Sequence, residues 1–92
     1  MTQSPSDMDD NLARSLGTRL RLLREEAGLD VTTLAERCGM KQPYLSRVEA
    51  GRTLPGVRSL AKLAIALDIP LTSLLEDVDY GSVELTPRAR RV

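Results

Sequence analysis

The sequence contains no histidine, no tryptophan and no phenylalanine, and only one cysteine. Without histidine it lacks the commonest general base and the commonest metal ligand. The lone Cys38 cannot form an intrachain disulfide, which fits a reducing, cytoplasmic setting. Aromatic residues make up only 2% of the chain, so any core must be aliphatic. No apolar run approaches the roughly 18 residues of a membrane span. The opening MTQSPSDMDD has neither the basic start nor the apolar centre of a secretory leader. No paired-carboxylate constellation, metal-ligand cluster or phosphate-binding glycine loop is present. These absences argue against an enzyme and imply no cofactor, metal or small-molecule ligand.

Net charge is also missing: 13 basic residues balance 13 acidic ones over 92 residues. The distribution is uneven, however. Residues 14–62 carry ten basic side chains against five acidic ones, a local excess of +5. The segments before and after are acidic, at −3 and −2. A basic centre between acidic flanks is a sign of an anionic partner that the neutral total conceals.

Hydrophobic content is 41%, enough for one small domain. Residues 1–9 read as a disordered lead-in, with no periodicity. Leu12, Leu16, Leu20, Leu23 and Ala27 then fall on one helical stripe, with Asp9 or Asp10 available as its cap. Gly17 interrupts that stripe at a cost of about 1 kcal/mol against Ala. It marks either a frayed stretch or the helix's true start. Gly28 ends the helix. Asp30 is placed to cap a second helix, Val31 to Cys38, which Gly39 closes. A third runs from Gln42 to Ala50 and ends at Gly51. Pro43 is tolerated there because it lies in the first turn. A fourth spans about Val57 to Leu67, and a fifth about Leu71 to Glu76. Residues 10–77 thus form an all-α domain of five helices. The segment 78–92 begins as VDYGSVEL, a small hairpin or a loose tail, and ends as the basic TPRARRV. Tyr80 and Val83 are candidates for a dimerisation strand there. The second and third helices, joined by a tight glycine-containing turn, have the form of a helix-turn-helix.

At about 100° per residue, Leu45, Val48 and Glu49 fall on the inner side of the third helix. Pro43, Ser46, Arg47 and Ala50 fall on the outer side, with Gln42 at its leading edge. A major groove about 12 Å wide admits such a helix, and Arg and Gln can each make paired bonds to guanine or adenine. Glu49 is the exception on the inner side, because a buried carboxylate needs a cation. Arg24, at the edge of the first helix's stripe, is the candidate partner.

Four segments, LRLLREEAGL (20–29), LAERCG (34–39), YLSRVEAGRTLP (44–55) and LAKLAIAL (60–67), carry a resemblance. Residues 16–75 resemble the helix-turn-helix domain of the lambda repressor, Cro and xenobiotic-response-element family. The resemblance implies the five-helix lambda-repressor-like fold, and operator binding as a homodimer with the third helix in the major groove. Carried over, base reading falls on Gln42, Pro43, Ser46 and Arg47. Phosphate contacts fall around Tyr44, Arg52 and Thr53 and at the start of the second helix, and the family's buried ion pair falls on Arg24 and Glu49.

Three positions depart from the family. Val31 stands where a phosphate-bonding Gln is common, and it can neither bond a phosphate nor brace the third helix. Lys41 replaces a Ser or Thr cap, exchanging a backbone bond for a charge contact to phosphate. Pro43 offers only apolar contact, to a thymine methyl. Val31, Pro43 and the neutral total also support an alternative, an antitoxin-like or adaptor module that keeps the fold without reading DNA. Helix five and the tail are expected to form the dimer surface, since Leu71, Leu74 or Leu75 would otherwise be exposed.

Overall fold

The five helices expected from periodicity, caps and glycine ends are present in that order in the computed structural model, which describes residues 5–81. They are α1 (Pro5–Glu26), α2 (Val31–Cys38), α3 (Gln42–Glu49), α4 (Val57–Leu67) and α5 (Leu71–Leu75). The core is aliphatic, as the composition requires. Leu20, Leu34, Leu45, Leu63 and Leu74 are all fully buried, and Leu16, Val48, Leu60 and Leu67 complete the packing. α3 packs on α1 and α2, α4 on α2, and α5 on both α1 and α4. No described helix is long and apolar enough to cross a membrane.

The start of α1 differs from the sequence expectation. The helix begins at Pro5, so of the expected disordered lead-in only residues 1–4 remain, and they lie outside the described residues. Proline at the first helical position arrives with its φ already set and loses no bond. Asp7 in the first turn, with Asp9 and Asp10 after it, complements the positive end of the helix dipole. Met8 and Leu12, one turn apart and half-buried, extend the apolar stripe toward the N-terminus.

Gly17 neither frays α1 nor starts it. It is the point where α1 crosses the end of α3. A Cβ there would stand 2.5 Å from the Val48 carbonyl oxygen and 2.6 Å from that of Glu49. Gly17→Ala is therefore expected to destabilise the domain by about 1–3 kcal/mol, as overpacking does. Intrinsic helix propensity alone would instead favour alanine by about 1 kcal/mol. Urea unfolding decides between them, and a stabilised variant would show that the crossing can relax.

α2 shows its capping directly. The Thr33 backbone N–H donates to Asp30 Oδ1 at 2.7 Å. That bond, from the backbone of Thr33, holds the Asp30 carboxyl below its ordinary range. A lowered folded-state value means the cap's stability is present above the ordinary aspartate range. It is lost as pH falls through the lowered value. Asn caps equally well without titrating. Asp30→Asn should therefore leave the melting temperature near neutral pH almost unchanged and flatten its fall in acid. Parallel acid dependence in the two proteins would count against the assignment.

The C-terminal end of the described chain is also fastened to α1. Arg19 Nε donates to the Ser73 carbonyl at 2.9 Å, and the Asp79 backbone N–H donates to Ser15 Oγ at 2.9 Å. Residues 78–81 form no strand, and Tyr80 is exposed. The rest of the expected hairpin, Val83 included, and the basic TPRARRV lie outside the described residues.

Candidate nucleic-acid interface

The turn between α2 and α3 fixes where the third helix points. Gly39 adopts the left-handed conformation at φ 68°, and its N–H donates to the Glu36 carbonyl at 3.1 Å. The Met40 N–H reaches back to the Ala35 carbonyl at 2.9 Å. This bond pair is a Schellman end, and Met40 packs against the core beside it. Lys41 is then extended and Pro43 sits in the first turn of α3. Lys41 makes no side-chain cap bond, so its exposed ammonium is available to solvent or an anion.

The far end of α3 closes in the same way. Gly51 is left-handed at φ 76°, and the Arg52 N–H donates to the Arg47 carbonyl at 2.9 Å. A Cβ on Gly51 would lie 2.9 Å from the Cα of Arg14. Glycines on both sides, 17 and 51, thus let the end of α3 sit directly on the α1 backbone. Arg52 follows at once and projects from the same end of the helix.

Leu45 and Val48 are buried beneath α3. Arg24 Nε donates to Glu49 Oε2 at 2.7 Å, and Arg24 Nη2 donates to Glu49 Oε1 at 3.0 Å. Arg24 Nη1 also donates to the Leu29 carbonyl at 2.8 Å. The hydrogen bond to Glu49 holds the guanidinium more firmly protonated than usual. One side chain of α1 therefore ties down both α3 and the connection into α2.

On the outer side, Pro43, Arg47 and Ala50 are exposed, while Gln42 and Ser46 are half-buried. The structure brings these last two together, with Gln42 Nε2 donating to Ser46 Oγ. The Gln42 amide is thereby oriented. Its carbonyl remains an acceptor and the Ser46 hydroxyl remains a donor. Arg47 has no such restraint. Neither it, Lys41 nor Arg52 forms an ion pair with any described residue. Tyr44 is half-buried and packs against the core, so its ring anchors α3 and only its hydroxyl end can meet a backbone phosphate. Thr53 is half-buried in the loop after α3. Val31 is half-buried against the core, and its side chain offers no donor.

Cys38 is a core residue. Burial pushes its thiol pKa up, and Sγ lies 3.7 Å from the Lys62 carbonyl. Among the described residues, no group of three or more metal-ligating side chains comes together. Sequence reasoning does not single out Arg21. It lies on α1 one turn before Arg24, and that i, i+3 spacing already puts it on the side of α1 that meets α3.

Known proteins share this arrangement. A family model described as a helix-turn-helix domain matches residues 15–76. The transcriptional regulator SutR of Escherichia coli is 35% identical over 66 residues, covering 72% of this chain and 37% of SutR. The regulator DdrOP3 of Deinococcus deserti is 42% identical over 62 residues, covering 67% of this chain and 48% of DdrOP3. The chain thus spans about half or less of these two relatives. The match to the ImmF control region 10 kDa protein of Bacillus phage phi105 is 36% identical and covers 66% of this chain and 68% of that protein. Among solved structures, the restriction-modification controller protein C.AhdI of Aeromonas hydrophila superposes with a TM-score of 0.65 at 38% identity. That match covers 71% of this chain and 96% of C.AhdI. The clp gene regulator ClgR of Corynebacterium glutamicum gives 0.69 at 31% identity, covering 73% of this chain and 87% of that one. With the matched helices, the turn between α2 and α3 and the outward face of α3 in place, this chain belongs to the helix-turn-helix DNA-binding family of the phage-repressor type.

Proposed function

We propose that this chain is a sequence-specific DNA-binding transcriptional regulator, reading a near-palindromic operator as a homodimer with α3 in the major groove. The observation that carries the reading is the outer side of α3. Its side chains are short or free of described partners. Two of them, Gln42 and Ser46, are arranged to present a donor and an acceptor. Base recognition falls to Arg47, Gln42 and Ser46, with apolar contact from Pro43. Lys41 and Arg52, at the two ends of the helix, and the Tyr44 hydroxyl and Thr53 beside them are the phosphate contacts that set its register. The names of the relatives support a regulator.

The dimer surface is narrower than the sequence suggests. Leu74 is fully buried and Leu71 packs on the core, because α5 turns both toward α1 and α4. Of the expected patch only Leu75 remains, 47% exposed. A homodimer reading a two-fold operator has to hold its two α3 helices roughly 34–36 Å apart on one face of the duplex.

Selection from a random duplex library tests the whole reading. The expected result is an enriched pair of inverted half-sites with centres about one helical turn apart. Enrichment of a single unpaired half-site would remove the dimer. No enrichment at low salt would remove DNA reading and favour an adaptor module.

A further inference from the structure

We infer that Arg21 is an additional phosphate contact, supplied from α1, on the side of α3 where the Val31 side chain has no donor to offer. This rests on the DNA-binding reading above. Arg21, Arg24, Val31, Ser46, Glu49 and Ala50 line a surface depression of about 190 Å³. Ser46 and Ala50 belong to the outward side of α3, so the wall carrying Arg21 stands directly beside the helix that enters the groove. Of the two arginines lining the depression, Arg24 is committed to Glu49 through two hydrogen bonds. Arg21 is not. Its side chain is 64% exposed, and its described partner is Glu25 at 3.4 Å, itself 54% exposed. Exposed pairs of this kind are weak and easily exchanged.

A helix seated in the major groove has a sugar-phosphate strand along each flank. The flank formed by α1 and the start of α2 meets one strand. There the side chain of Val31 presents only methyl groups. Arg21 carries a guanidinium that can take a phosphate in paired hydrogen bonds. Two carboxylates oppose it: Glu49, neutralised by Arg24, and Glu25, which competes with the phosphate for Arg21 itself.

Salt dependence of binding measures this directly, using the duplex enriched from the random library and a scrambled duplex of equal length. Arg21→Gln should lower the slope of log K against log salt by about 0.9 per bound chain, and weaken both duplexes by the same factor. Arg21→Lys should keep the slope. Glu25→Gln should tighten binding several-fold, and the gain should vanish when Arg21→Gln is also present. The fold is expected to be unaffected, since the pair is exposed, and the melting temperature of each variant checks this. If Arg21→Gln leaves the slope unchanged while the parent binds normally, Arg21 is not a phosphate contact and the regulator reading stands. If the parent binds no duplex at any salt concentration, that reading fails and takes this one with it.

Discussion

Arg24→Ala is expected to cost the domain about 3–5 kcal/mol, most of the stability a domain of this size can spare. The arginine and glutamate side chains are only 13% and 9% exposed, so solvent does little to screen the pair. Removing the guanidinium strands the Glu49 carboxylate and also deprives the Leu29 carbonyl of its donor. Glu49→Ala should be the milder change. The arginine it leaves behind keeps its bond to the Leu29 carbonyl. Replacing both residues together, as Arg24→Met with Glu49→Leu, should recover much of the loss, because the desolvation of two charges disappears with them. Urea midpoints of the three variants provide the measurement. A loss below about 1 kcal/mol for Arg24→Ala would place the pair with ordinary surface ion pairs. The account of α3 as clamped from α1 would then be wrong.

That clamp shows how far the sequence can be read. Angular position on the third helix puts Glu49 inward, and charge alone names Arg24 as a candidate, since both inferences need only local geometry. The Asp30 cap and the glycine ends of α1, α2 and α3 are legible for the same reason: the residue type states the backbone it needs. Gly17 misleads because its reason lies in another helix. Propensity counts the cost of a glycine and cannot see the carbonyls of Val48 and Glu49 waiting where a Cβ would go. The start of α1 is hidden because Ser, Pro and Asp suit a disordered lead-in and a helix N-terminus equally well. Leu74 illustrates a third limit. A five-residue helix with three leucines has no stripe long enough to show which leucine faces the core. Only the packing of α5 against α1 and α4 decides it. For the candidate interface, the outer residues of α3 can be identified, and the Gln42–Ser46 spacing of one turn is visible. Their mutual hydrogen bond is not legible in the sequence. It changes the chemistry offered to a base edge from two independent groups to one oriented pair.

Arg47→Ala is expected to remove most of the discrimination between operator and scrambled DNA. Of the residues on the outer side of α3, Arg47 is the one whose charged donors are unrestrained. A bidentate arginine–guanine contact is worth about 1–3 kcal/mol of discrimination at each half-site. Across a two-fold site the operator preference should therefore fall by roughly 2–6 kcal/mol, if both half-sites carry the guanine. Weak, salt-sensitive binding should survive, because Lys41 and Arg52 remain and non-specific affinity comes from phosphate neutralisation. The fold should also survive within about 0.5 kcal/mol, since Arg47 is exposed and pairs with no described residue. The same measurement separates the two roles this arginine can play. If Arg47 bonds a base, its removal changes the ratio of operator to scrambled affinity and leaves the salt slope nearly unchanged. If it bonds a phosphate, its removal weakens both duplexes equally and lowers the slope by about 0.9 per bound chain. Should the ratio persist and the slope fall, Arg47 sets register rather than sequence. Recognition would then rest on the Gln42–Ser46 pair and the ring of Pro43, which makes Gln42→Ala the variant expected to erase the operator preference instead.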